Sequence, residues 1–314
     1  MDTFRLGEVS ITRVVEIGRS FYPTADMLPE STAEAIARHH AWLKPDFFDE
    51  ATGDLGSRIQ TWVVRMPGRT ILIDTGVGNG KERHESPLWH HRQGTWLDDL
   101  AAGGVPPEQV DTVVCTHLHV DHVGWNTRLE GQRWVPTFPN ARYVIHGEEW
   151  QFWKWESEQG REPSGCVADS VLPVVEAGRA ALVDEDYEIA PGLRFEPAPG
   201  HTPGHVAVRL TTRDGQAVFA GDLMHRTVQV AEPQWNSRFC HDGDRARKTR
   251  QDFVERHADS GVLILPAHFP RPGYVVRDNG GFRFLIDEGA PIRPPHPPAL
   301  GSAPAKPWRS STTG

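Results

Sequence analysis

The segment Thr116-His117-Leu118-His119-Val120-Asp121-His122 decides how the rest of the 314-residue chain is read. It sets His117, His119, Asp121 and His122 at positions i, i+2, i+4 and i+5. Imidazoles and a carboxylate are the donors preferred by zinc and related divalent metals. No regular element brings these four together. On a helix, i and i+2 point apart; on a strand, i+4 and i+5 lie on opposite faces. They converge only on a loop leaving a strand. The flanks predict that context: the β-rich run VDTVVCTH (110–117) precedes, and Gly124 follows to release the turn. With 16 His in the chain, this register arises by chance in roughly one such chain in a few hundred, so a surface histidine cluster is the weaker reading.

Four donors in one loop exceed what a single open site takes from one strand end. A two-metal site is the natural reading, and it needs further histidines and a bridging carboxylate. The chain offers them after β-rich runs: His201 in APGHTPGH after LRFEPA (193–198), Asp222 at the end of QAVFAGD (216–222), and His268 at the end of VLILPAH (262–268). Each alone is a weak signal, because a lone histidine is more often structural. Their shared placement at strand ends, where functional groups gather, is what links them.

Working outward, VSITRVVEI (9–17) reads as a strand, and IQTWVVRM (59–66) with TILID (70–74) reads as a hairpin around Pro-Gly. A short helix is expected near Thr32–Trp42 and others over Thr95–Ala102, 147–157 and Arg245–Ala258. Strands are expected at ARYVIH (141–146), HVAVRLTT (205–212), YVVR (274–277) and FRFLI (282–286). Many short strands with interspersed helices, without strict alternation, favour a layered α/β body with mixed sheets. From Gly289 the chain turns Pro-rich, so residues 1–288 are read as one domain and 289–314 as a flexible tail.

Composition narrows the function. Lys and Arg number 33 against 42 Asp and Glu, a net charge of −9, which argues against a duplex nucleic-acid binder. No run of 18 apolar residues suggests a membrane span, and MDTFRLGEVS lacks the pattern of a secretory signal. Cys115, Cys166 and Cys240 form no CxxC pair and read as reduced thiols. A cytoplasmic protein acting on a small molecule is expected, with no nucleic-acid or membrane partner and with a homodimer left open.

THLHVDHVG resembles the HxHxDH signature of the metallo-β-lactamase superfamily. APGHTPGH, FAGDLMH and LPAH are similar to its later motifs in the same order, and LIDTG (72–76) to its early strand-end Asp motif. The likeness spans about residues 8–286. It implies an αβ/βα four-layer sandwich: two mixed β-sheets face to face, helices outside, metals at one edge. It further implies that His117, His119 and His201 hold one metal, that Asp121, His122 and His268 hold a second, and that Asp222 bridges them. The implied cofactors are two divalent ions, Zn2+ first, with Mn, Co and Fe accepting the same donors.

Within the superfamily, GDLMH and AHFPRPGYV look most like the branch of methyl parathion hydrolase and the acyl-homoserine lactonases. Lactonases of that branch typically carry Tyr three residues after the bridging Asp. Here that position is His225, which looks more like the organophosphate-hydrolase side. The implied chemistry is attack on a carbonyl or phosphoryl centre by water activated between the metals, with Asp121 positioning a proton and His225 contacting substrate. The expected substrate is a neutral, apolar ester-type compound: a lactone first, an aryl ester or phosphotriester second. Rivals are a glyoxalase-II-like thioesterase and a non-catalytic metal-binding module. The Pro-rich C-terminus disfavours the first, and the complete ligand set the second.

Supporting residues follow from the same logic. Metal-bound histidines usually donate their free N–H to a carboxylate, and Asp74 is the candidate, against a plain turn-capping role. His205 reads as structural. Thr116 could orient a ligand, though a strand-end Thr needs no explanation. His84, His90 and His91 show no spacing logic. Trp150, Phe152 and Trp153 fall at helical spacing, where aromatics are usually core, yet some could wall an apolar pocket. Phe21 and Tyr22 are weaker candidates for the same wall.

Overall fold

A computed structural model describes residues 2–18, 22–84 and 86–287. Phe21 and the Pro-rich segment 289–314 lie outside the described residues.

The β-rich runs form two seven-stranded sheets. The first runs, edge to edge, through Thr3–Leu6, Val9–Ile17, Ile59–Met66, Arg69–Ile73, Thr112–Val114, Arg142–His146 and Ala180–Val183. Its first four strands pair antiparallel and the rest parallel. The second runs through Glu188–Ala190, Leu193–Pro197, Val206–Thr212, Gly215–Gly221, Leu263–Pro266, Gly273–Asp278 and Gly281–Ile286. There only Gly215–Gly221 and Leu263–Pro266 pair parallel.

Strand periodicity explains the layers, because neighbouring side chains leave a strand on opposite faces. Val64, Ile71, Ile73 and Val114 point from the first sheet towards Phe195, Val208, Phe219 and Leu265 of the second, forming the core between the sheets. Val63, Leu72 and Val113 point the other way, onto Trp96 and Leu100 of the helix Trp96–Ala102, Trp150 of Gly147–Glu158, and Val174 of Leu172–Glu176. On the far side of the second sheet, Val218 and Ile264 pack on Phe253 and Val254 of the helix Gly243–His257. The layers are helix, sheet, sheet, helix, as the sequence led one to expect. No helix among the described residues is long and apolar enough to cross a membrane.

Three local expectations need correction. The predicted strand 110–117 is regular only over Thr112–Val114, and the chain then leaves the sheet as an extended loop. The helix expected near Thr32–Trp42 is two short pieces, Ala33–Ala37 and His40–Leu43. Gly124 also serves a different purpose from the one expected. Its backbone is ordinary helical, φ −57°, so it releases no strained turn. A Cβ there would lie 1.9 Å from the carbonyl carbon and oxygen of Val77. Glycine lets the two loops touch.

Candidate metal centre

The loop after Thr112–Val114 carries His117 and His119, then enters the one-turn helix Val120–Val123, which carries Asp121 and His122. His201 lies in the turn after Leu193–Pro197, Asp222 directly follows Gly215–Gly221, and His268 follows Leu263–Pro266. The same edge of both sheets thus delivers all seven side chains to one place. Ligating atoms of His117, His119, His201 and Asp222 lie within 4.8 Å of one another, as do those of Asp121, His122 and His268.

Asp222 faces both groups. Its Oδ1 is 3.2 Å from His122 Nε2 and 3.0 Å from His268 Nε2. Its Oδ2 is 3.3 Å from His201 Nε2 and 3.7 Å from His117 Nε2. His119 Nδ1 stands 2.8 Å from His201 Nε2. Asp121 reaches His268 at 3.6 Å and His122 at 3.8 Å.

The outward nitrogens are anchored. His122 Nδ1 meets Asp74 Oδ2 at 2.8 Å, and Asp74 also accepts from the backbone N–H and hydroxyl of Thr116. Asp74 holds a left-handed backbone, φ +57°, a conformation that costs a non-glycine residue roughly 1–2 kcal/mol. Those bonds fix it there. His268 Nδ1 donates to the Arg58 carbonyl at 2.8 Å. His117 Nδ1 lies 3.1 Å from Thr116 Oγ1, and His201 Nδ1 lies 3.8 Å from the thiol of Cys240. His205 belongs to the scaffold: Nε2 accepts from the Asp222 N–H at 2.9 Å and Nδ1 donates to the Ala198 carbonyl. Neither nitrogen is left for a metal.

Burial sets the electrostatics. It presses His117 and His119 well below the ordinary histidine range, and His201 and His225 to about 4. Burial also opposes charge on His122, but Asp222, Asp74 and Asp121 outweigh it and raise the imidazole well above that range. His268 is raised in the same way, chiefly by Asp222. Burial resists an ionised Asp222, yet the surrounding imidazoles hold its carboxyl well below the usual carboxylate range.

These features fit divalent cations. His117 Nε2 is buried without a hydrogen-bond partner, and the inward nitrogens of His122 and His268 crowd on the one buried oxygen Asp222 Oδ1. Among the described residues no Lys or Arg pairs with Asp74, Asp121 or Asp222. Buried carboxylates of this kind are normally paired or coordinate metals.

His225, expected to contact substrate, sits against the cluster. Its Nε2 is 3.1 Å from Asp222 Oδ2 and its Nδ1 is buried without a partner. It also lines a cavity of about 240 Å³ that opens from Asp121, Asp222 and His268. Of the aromatic residues named from sequence, Trp153 and Tyr22 line this cavity. Trp150 turns into the core with Val174 and Ile145, and Phe152 packs on His241, so neither lines it. Met27, Trp89, Leu118, Val120 and Phe239 add to the apolar wall. Leu118 and Val120 lie inside the THLHVDH motif; the others carry no signal in their spacing.

The chain matches the metallo-beta-lactamase superfamily over residues 56–268 and belongs to it. It is 27% identical over 164 residues to an N-acyl homoserine lactonase of Bacillus cereus, covering 48% of this chain and 56% of that protein. The match thus spans little more than half the length of that curated relative. Among solved structures, the hydrolase AbOPH of the beta lactamase superfamily superposes with a TM-score of 0.74 at 25% identity, over 91% of this chain and 96% of that one. AidC, a dizinc quorum-quenching lactonase, superposes with a TM-score of 0.72 at 21% identity, over 91% and 97%. The AidC likeness speaks for the fold.

Proposed function

We propose that the chain is a binuclear metal-dependent hydrolase of neutral, largely apolar ester-type compounds, with a lactone as the first substrate class. One observation carries the reading: two groups of ligating side chains, most of them buried, meet at Asp222, at one end of a mostly apolar cavity. His117, His119 and His201 would hold one ion, and Asp121, His122 and His268 the other, with Asp222 serving both. Zinc suits these donors, as do manganese, cobalt and iron. When bound, two such ions polarise the scissile oxygen and lower the pKa of water.

The chain's own groups do the rest. Asp121 lines the cavity and can take a proton from an attacking water at a carboxylate oxygen. Burial keeps His225 neutral at pH 7. Its Nε2 faces Asp222 Oδ2 at 3.1 Å, so the neutral ring can donate to that carboxylate while its edge lines the cavity. Trp89, Val120, Trp153 and Phe239 offer apolar wall, worth about 25 cal/mol per Å² of surface taken from water. Arg83 also lines the cavity, but its guanidinium is spent on Asp169 at 2.7 and 2.9 Å. It is no clamp for a phosphate monoester, which favours a neutral substrate.

A second reading, an aryl ester or aryl phosphotriester, is favoured by His225, at the position where the resemblance implies Tyr in a lactonase. The test is kcat/KM for metal-analysed protein across lactones of rising acyl length, an aryl ester, an aryl phosphotriester and an anionic phosphate. A lactone rate that climbs with chain length is expected. A rate flat with length, together with preference for the anionic phosphate, replaces this reading with a phosphodiesterase.

A further inference from the structure

Glu149 carries no motif, and nothing in the chemistry above uses it. It lies in the first turn of the helix Gly147–Glu158 and is 1% exposed. Its Oε1 accepts from the Leu118 N–H at 3.0 Å and from the Trp153 indole N–H at 2.7 Å. Its Oε2 accepts from the Gly204 N–H at 3.0 Å. Leu118 stands between His117 and His119, and Gly204 lies three residues after His201. One carboxylate therefore spans the two loops that supply the first histidine group.

Two further contacts make this a built arrangement. A Cβ on Gly204 would fall 2.4 Å from the Glu149 backbone nitrogen, so only glycine lets the second loop reach the helix. The His146 ring also meets the Gly204 carbonyl at 3.0 Å. Trp153, bonded to the same carboxylate oxygen, sets its ring edge-on to His119, with centroids 5.2 Å apart, and lines the cavity. By contrast, His122 and His268 are anchored by Asp74 and the Arg58 carbonyl and owe nothing to Glu149.

We propose that Glu149 is a positioning residue: it fixes the spacing of His117, His119 and His201 by holding their loops together, and ties that group to the cavity wall through Trp153. This rests on the two-metal reading above. A carboxylate is required because every partner is a donor. A glutamine of the same shape must turn an NH2 group towards one of the loop N–H groups, so it can hold one loop but not both. Burial raises the Glu149 pKa while its hydrogen bonds oppose the rise. The helix N-terminus favours the charge.

The experiment is a zinc titration of metal-stripped wild type and Glu149→Gln with chelator competition, which separates two binding steps, alongside melting temperature. Wild type should bind two ions; if it binds fewer, the two-metal reading fails irrespective of Glu149. Given two steps, E149Q should weaken one of them about 10–100-fold, the usual cost of losing a residue that orients metal ligands. The other step should stay at the wild-type value. Should E149Q be insoluble, Glu149→Asp is read the same way, because its retracted oxygens cannot reach both loops. Parallel weakening of both steps overturns the proposal. So does a lower melting temperature with both steps intact, which would make Glu149 a general packing element.

Discussion

Asp222 is the residue on which the centre turns, since each of its oxygens faces one histidine group. Asp222→Ala should therefore lose both ions and reduce turnover by orders of magnitude. His268→Ala removes a donor from one group alone and should leave about one ion per chain. Elemental analysis beside turnover checks both; an Asp222→Ala protein that keeps two ions refutes the shared role. The residues brought together here were visible in the sequence because donor types in fixed register after strand runs constrain both chemistry and place. The wall was not. Trp89 and Phe239 reach the cavity through long-range packing, and no local period records that. Glu149 was hidden for a related reason: its partners on the two loops are backbone N–H groups, which every residue but proline carries.

At the scale of elements, the loops at the sheet edge press on one another with little room. Gly124→Ala would drive a Cβ into the Val77 backbone. Overpacking of this kind typically costs about 1–3 kcal/mol, here with a weakened metal site, since the Thr75 N–H bonds the His122 carbonyl in the same turn. Calorimetry with metal titration reads both effects, and an unchanged melting temperature contradicts the contact. Beside it, Glu16 at the end of Val9–Ile17 accepts from Val77 N, Gly78 N and Trp125 Nε1. Burial pushes its carboxyl up from 4.5 to about 7, against those bonds. A folded-state value above the ordinary one favours the protonated form, so this contribution to stability is complete below about pH 4.5 and is lost as pH rises to about 7. The stability of wild type relative to Glu16→Gln should fall across that window and level off above it. A flat difference would mean that the carboxylate stays ionised. Element types were legible where runs were long and periodic. The short hairpin Thr127–Glu130 with Arg133–Pro136 and the strand Ala180–Val183 were not foreseen, because a few residues cannot establish a period.

For the molecule as a whole, the ligands come from both sheets, so bound ions would tie one to the other. Stripping the metal should lower the melting temperature, and the loss should grow with the free metal present beforehand, by about 2.7 kcal/mol at a hundredfold excess over Kd. Scanning calorimetry with and without chelator measures it; equal melting temperatures would place the ions outside the folded scaffold. The division between the sheets has a further consequence. Every strand of the first sheet precedes residue 184 and every strand of the second follows residue 187. Asp74 and the donors His117 to His122 belong to the earlier half; His201, Asp222 and His268 belong to the later one. A growing polypeptide that has released only its first half owns an unfinished coordination set. Capture of both ions would then report assembly, since the full donor set exists only when the late half of the chain has docked on the early one.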